Sequence, residues 1–197
     1  MTINKTSLLD DKAGWQTLKN FYQNEVRSAL VERFLYKNNH EIPTITKVVL
    51  NRTYSDRSNS KGFNRSITEL GVISGQKPVV TRAKKSIATF GITKADNIGM
   101  KVTLRNKYMF SFLQRLINLT LPRIRDFQGL NPLSFDQQGN YTFGISEQLM
   151  FPEMNAESID SPQGLHITIV TTAKSGEEGY FLLKELGLQF KDTNFWD

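Results

Sequence analysis

Short β-branched runs and amphipathic helical stretches interleave along the chain with no linker and no repeat, and this alternation restricts the fold more than any other feature. The runs "ITKVVLN" (Ile45 to Asn51), "KPVVTR", "SIATFGI", "MKVTLR", "YTFGI" and "LHITIVTTA" are rich in residues that favour strands. Between them, Leu18, Tyr22, Val26, Leu30 and Phe34 recur every fourth residue, a stripe that predicts an amphipathic helix of about five turns. "GFNRSITELGVIS" predicts a short helix closed near Gly75, and "NKYMFSFLQRLINLTLP" puts Met109, Leu113, Leu116, Ile117 and Thr120 on one helical face that Pro122 terminates. A final helix is expected from Ser175 to Leu186, while the polar stretch from Arg52 to Lys61 and a proline-bounded acidic stretch before "LHITIVTTA" read as loops. Elements with one apolar face must bury it against another layer, so one sandwich of helices against a mixed sheet is the simplest architecture. At 197 residues the chain suits a single domain, and a domain of that size buries roughly 70% of its unfolded surface.

Charge divides the chain into three parts. Met1 to Thr46 carries 6 basic and 5 acidic residues, Lys47 to Arg125 carries 16 and 3, and Asp126 to Asp197 carries 3 and 11. The net charges are therefore +1, +13 and −8, which sum to the +6 of the whole. Solvated surfaces usually mix signs, so a basic middle offset by Asp56, Glu69 and Asp96 alone points to a polyanion, and nucleic acid is the partner expected. The acidic last third implies a second surface with another task, such as meeting a basic protein.

Several chemistries are disfavoured. Cysteine is absent, which excludes disulfides, thiolate nucleophiles and cysteine-based zinc sites. His40 and His166 lie 126 positions apart without a metal-binding spacing, and each reads as a surface or strand histidine, so no metal is expected. "GVISGQKP" fails as a phosphate loop: its glycines are one residue too close, Gln76 precedes Lys77, and Pro78 stands where a magnesium-binding hydroxyl belongs. Glu177 and Glu178 begin the last helix, where they complement its dipole rather than serve as an acid and base pair. "FDQQGNY" carries the Gly-Asn of a hairpin turn and no calcium-binding glutamate. No nucleophile, base and oxyanion donor come together, so neither an enzyme nor a cofactor is expected. Apolar runs such as "ITIV" are far short of the ~20 residues that span a bilayer, so no membrane partner is expected either. The opening "MTINKTSLLDDKAGW" has neither a secretory core nor a transit-peptide pattern, so the chain is expected either to work where it is made, which Met1 favours, or to be already trimmed.

The sixteen residues "ISGQKPVVTRAKKSIA", Ile73 to Ala88, hold Gln76, Lys77, Arg82, Lys84 and Lys85 and no carboxylate. Cations beside Phe90 and a glycine suit phosphate contacts with stacking, and Asn51, Gln76 and Thr103 offer polar contacts to riboses and bases. The alternative for those three is turn capping and satisfaction of strand edges.

The blocks "SGQKPVVTRAKKSIATF", "IGMKVTLRNKYMFSFLQRLINLTLPRIRDFQGL", "SFDQQGNYTFGISEQLMFPE" and "GLHITIVTTAKSGEEGYFLLKELGLQF" resemble, in order, the signature blocks of the 5S-rRNA-binding large-subunit ribosomal protein family L-five, of bacterial type. The resemblance runs from about Leu18 to Phe190. It implies an α+β fold, a largely antiparallel sheet covered by helices on one face, with a core over about 18–190 and short extensions at both ends of a 1–197 domain. It implies a structural constituent of the large subunit that anchors 5S rRNA in the central protuberance. Further implied partners are large-subunit rRNA, P-site tRNA, neighbouring large-subunit proteins and, by a bridge, a small-subunit head protein. The family's 5S rRNA contacts fall on Asn51, Gln76, Lys77, Thr103 and Arg105, and its tRNA-facing loop on Arg82 through Thr93, with Arg82, Lys84, Lys85, Ser86, Phe90 and the adjoining Lys94 as its contacting residues. Where the family carries a glycine-bearing "NMGVG", this chain reads "NRTYSD", and Arg52 is expected to replace a backbone contact to RNA with an ionic one. Trp196, in a tail past the usual family end, is a partner anchor or part of a loose terminus. The divergence resembles an organelle-encoded plastid version, with the bacterial cytoplasm as the alternative location, and a free-standing RNA chaperone or regulator is the rival function.

Overall fold

The computed structural model describes residues 14–54, 60–154 and 162–191, so the first thirteen residues, the centres of both expected loops and the tail with Trp196 lie outside the described residues. The period-four stripe folds into α1 (Gly14–Phe21) and α2 (Arg27–Phe34), joined by a π-helical turn at Tyr22–Val26. A spacing of four overshoots the 3.6-residue period by about 40° per step, and a wider turn in mid-helix takes up part of that drift. Tyr22, Val26 and Leu30 are buried, and the Tyr22 hydroxyl donates to the Pro43 carbonyl at 3.0 Å, fixing the approach to the sheet.

Five strands follow: β1 (Ile45–Thr53), β2 (Val79–Arg82), β3 (Asn97–Leu104), β4 (Tyr141–Ile145) and β5 (Leu165–Thr171). They lie in the order β2-β3-β1-β5-β4, and every pairing is antiparallel, so the expected α+β sandwich holds with no parallel pair among these strands. The longest strand, β1, is therefore central. Val48, Leu50, Met100, Val102, Leu104, Ile167 and Ile169 point to one face and are fully or almost fully buried. Against that face pack α3 (Ser60–Ser74), α4 (Asn106–Arg115) and α5 (Gly176–Glu185), contributing Leu70, Ile73, Met109, Phe112, Leu113, Leu182 and Leu183 to one core. The helical rod of α4 continues through a π turn at Leu116–Thr120 and ends in the 3-10 turn Leu121–Arg123, which contains Pro122. Ser175 caps α5 by accepting from the Glu178 N–H, and Glu178 reaches back to the Lys174 N–H at 2.8 Å, so the paired glutamates serve the helix start as their position implies.

Two expected elements differ. "SIATFGI" is not a strand: Ile87 and Ile92 exchange backbone hydrogen bonds of 2.8 and 3.0 Å around a 3-10 turn at Ala88–Phe90, because Gly91 takes the left-handed conformation at φ 58° and closes a turn. The loop expected from Arg52 is also shorter, since β1 pairs with β3 through Thr53 and α3 begins at Ser60.

Candidate nucleic-acid interface

Side chains alternate across a strand, so the residues between the buried ones line the opposite face of the sheet. No helix covers that face among the described residues, and Asn51, Thr53, Lys101, Thr142 and His166 are exposed on it. The register aligns Val79, Lys101, Asn51, His166 and Gly144 in one row across all five strands. A second row runs through Thr103, Val49, Thr168 and Thr142, where the Thr142 and Thr168 hydroxyls lie 3.0 Å apart. Strands stand about 4.8 Å apart, so the first row reaches almost 20 Å across the sheet, roughly the width of a nucleic-acid duplex, and the second about 14 Å. The surface carries hydroxyls and the Asn51 amide, with positive charge at Lys101 and Lys47.

The structure brings most of the expected residues to this face or its margin. Asn51 and Thr103 are diagonal neighbours on β1 and β3. Gln76 and Lys77 are exposed just beyond the end of α3, where Gly75 turns the chain at φ 68° and the Ser74 hydroxyl holds both the N–H and the carbonyl of Gln76. The β2–β3 register, continued back from Val79, sets Lys77 level with Thr103. Arg105 is exposed in extended backbone between β3 and α4. The basic loop lies at the other end of β2 and β3, about 13 Å along the strands from Lys101. Arg82, Lys84, Lys85 and Lys94 are exposed there, and Phe90 is 68% exposed at the tip. Ser86 has a structural role in that loop, its hydroxyl accepting from the Lys94 N–H at 3.0 Å.

Arg52 is the exception. Its side chain is 0% exposed and points to the helical face, where Nη1 donates to Glu69 Oε2 at 3.0 Å and to the Ser66 hydroxyl at 3.3 Å. Ser66 in turn donates to Gln163 Oε1 at 2.7 Å, so the pair is part of a polar link from β1 through α3 to the segment before β5. Burial draws the guanidinium pKa below its ordinary value, and the Glu69 carboxylate opposes that shift. The ionic contact to RNA expected of Arg52 is therefore corrected. It follows Asn51 on a continuous strand, so the pleat turns the two side chains to opposite faces.

Three residues were not assigned to this face or its margin from the sequence: Lys101, His166, which is the exposed strand histidine expected, and Tyr108. The first two were legible as the polar positions of "MKVTLR" and "LHITIV", where they alternate with buried Met100, Val102, Leu165 and Ile167. Tyr108, 54% exposed in the first turn of α4, has its ring beside Gly75 and gave no such periodic signal. Among the described residues no group of histidines and carboxylates could hold a metal, and no helix is long and apolar enough to cross a membrane.

The sequence profile of Ribosomal protein L5 matches residues 38–92, and that of the same family's C-terminus matches residues 97–190. The chain is 54% identical to large ribosomal subunit protein uL5c of Porphyra purpurea over 89% of this chain and 98% of that one. It is 52% identical to uL5c of Ostreococcus tauri, over 89% and 96%, and 51% identical to uL5 of Trichodesmium erythraeum (strain IMS101), over 90% and 98%. Matches that run from before β1 to the end of the described residues leave no room for a different origin of either half: the chain belongs to the ribosomal protein L5 family, whose members are structural rather than enzymatic.

Proposed function

We propose that this chain is a structural constituent of the large ribosomal subunit that binds 5S rRNA with the open face of its sheet and so anchors it in the central protuberance. The observation that carries this reading is the convergence of Asn51, Thr103 and Lys101 on one uncovered face, flanked by Lys77 and Arg105. Cations attract any RNA, whereas fixed neutral donors and acceptors select a shape through 2′-hydroxyls and base edges. The loop from Arg82 to Lys94 reaches large-subunit rRNA and P-site tRNA, its exposed cations and Phe90 tip offering phosphate contacts and a stacking ring. The acidic last third, net −8 from Asp126 onward, suits a basic small-subunit head protein and neighbouring large-subunit proteins. The whole acts as one domain over 1–197, with its core over about 18–190. The ribosome is that of a plastid, as the uL5c names among the relatives suggest, or of a bacterium, as the Trichodesmium protein suggests.

The test is a paired titration with 5S rRNA and a length-matched control RNA. Asn51→Ala or Thr103→Ala each weakens 5S rRNA binding by about 1–3 kcal/mol, the penalty for a polar partner left unmatched, and leaves control binding nearly unchanged. A combined Lys84→Glu and Lys85→Glu variant keeps 5S rRNA binding and loses tRNA retention on assembled ribosomes. Parallel losses on both RNAs from the alanine variants return Asn51 and Thr103 to a purely structural role.

A further inference from the structure

The open face does not end at the strands that carry the expected contacts. His166 on β5 is the direct cross-strand neighbour of Asn51, is exposed, and continues the same row toward β4. Its other neighbour is Gly144, and a Cβ added at Gly144 would stand 3.7 Å from the His166 Nδ1 and 3.8 Å from its Cε1. The imidazole therefore lies beside a strand position that has no side chain. Gly144 is not among the glycines in the left-handed region, so its backbone does not demand glycine, and a larger residue there would occupy space next to the ring. Around this pair the surface is low: Thr142 and Thr168 tie up their hydroxyls with one another.

We infer that His166, bared by Gly144, is a base-stacking platform that extends the RNA-binding face from β1 onto β5 and β4, and that it takes an unpaired nucleobase of the bound RNA. An aromatic ring on an uncovered sheet, one strand from a polar residue and two from a lysine, is the arrangement by which flat sheets hold single-stranded bases, since every base has a face to stack. The row spacing places the ring about 5 Å from Asn51 and 10 Å from Lys101, so one nucleotide of a chain crossing the strands reaches the ring while its neighbours reach the amide and the ammonium. The inference rests on the 5S rRNA reading above.

The experiment uses the full chain and 5S rRNA transcript, with Asn51→Ala measured alongside as the reference for that reading. His166→Ala weakens binding by about 5- to 150-fold, the range for loss of one stacked base. His166→Tyr restores it, and His166→Asn, which keeps a hydrogen-bonding group without a ring of that kind, does not. Gly144→Val, in which the added side chain crowds the ring, gives a partial loss at unchanged circular dichroism. If His166→Ala binds as tightly as the wild type while Asn51→Ala is impaired, the stacking role is overturned and the 5S rRNA reading stands. Rescue by asparagine and not by tyrosine overturns stacking in favour of a hydrogen bond. Failure of the wild-type chain to prefer 5S rRNA over a control overturns both.

Discussion

Binding of the isolated protein to 5S rRNA weakens by about 10³- to 10⁵-fold between 50 and 200 mM salt, the response expected when six to ten phosphates are neutralised and their counterions released. The cations available for this are Lys47, Lys77, Lys101 and Arg105 on the open face and its margins, and Arg82 and Lys94 at the foot of the loop, while Lys84 and Lys85 farther out are not needed for it. Arg52 is not among them, because its guanidinium is inside the protein. A filter-binding or fluorescence titration at several salt concentrations reads the slope directly. A flat response contradicts the assignment of the +13 middle region to RNA.

The second large effect is on stability. Glu69→Gln or Glu69→Ala leaves the Arg52 guanidinium buried without its counter-charge, and breaking such a pair costs about 3–5 kcal/mol. For a protein of this size each kcal/mol moves the melting temperature by roughly 2–4 °C, so a loss on the order of 6–20 °C is expected in a thermal scan. Among the described residues Arg52 Nε and Nη2 have no hydrogen-bond partner, so the pair is not fully repaid by its surroundings. Replacing both residues by apolar ones of similar length, Arg52→Met with Glu69→Leu, is accordingly near neutral or stabilising and leaves 5S rRNA binding intact. Wild-type stability in the Glu69 variants, or loss of RNA binding in the double variant, places Arg52 at the RNA surface instead.

Arg52 also shows what the sequence made legible and where it stopped. The strand "ITKVVLN" was visible from its β-branched residues, but the polar "RTYSD" after it hid its continuation, since a buried arginine looks like a loop arginine until Glu69 is seen across from it. Extending the strand by two residues sends Asn51 outward and Arg52 inward by period two alone. The same alternation made the inner face readable at Met100, Val102 and Leu104, and with it the outward Lys101 and Thr103. Strand order was not readable, because β1 takes both β3 and β5 as neighbours through pairings of residues more than 40 positions apart, and no local pattern encodes that choice. The exchange of a strand for a 3-10 turn at Ala88–Phe90 has the opposite cause: "SIATFGI" has strand-like composition, but Gly91 breaks it locally. His166 passed as an ordinary strand histidine because its distinguishing feature, the bare Gly144 beside it, is 22 residues away in the sequence.

Whether RNA lies on the open face of the sheet is read from a density map of the large subunit containing this chain. The expected map has 5S rRNA backbone crossing the strands, with density in contact with Asn51, Lys101 and Thr103 and with Arg52 enclosed beneath them. An open face covered by protein or left to solvent, with the 5S rRNA seated against α3 or α5, would contradict it.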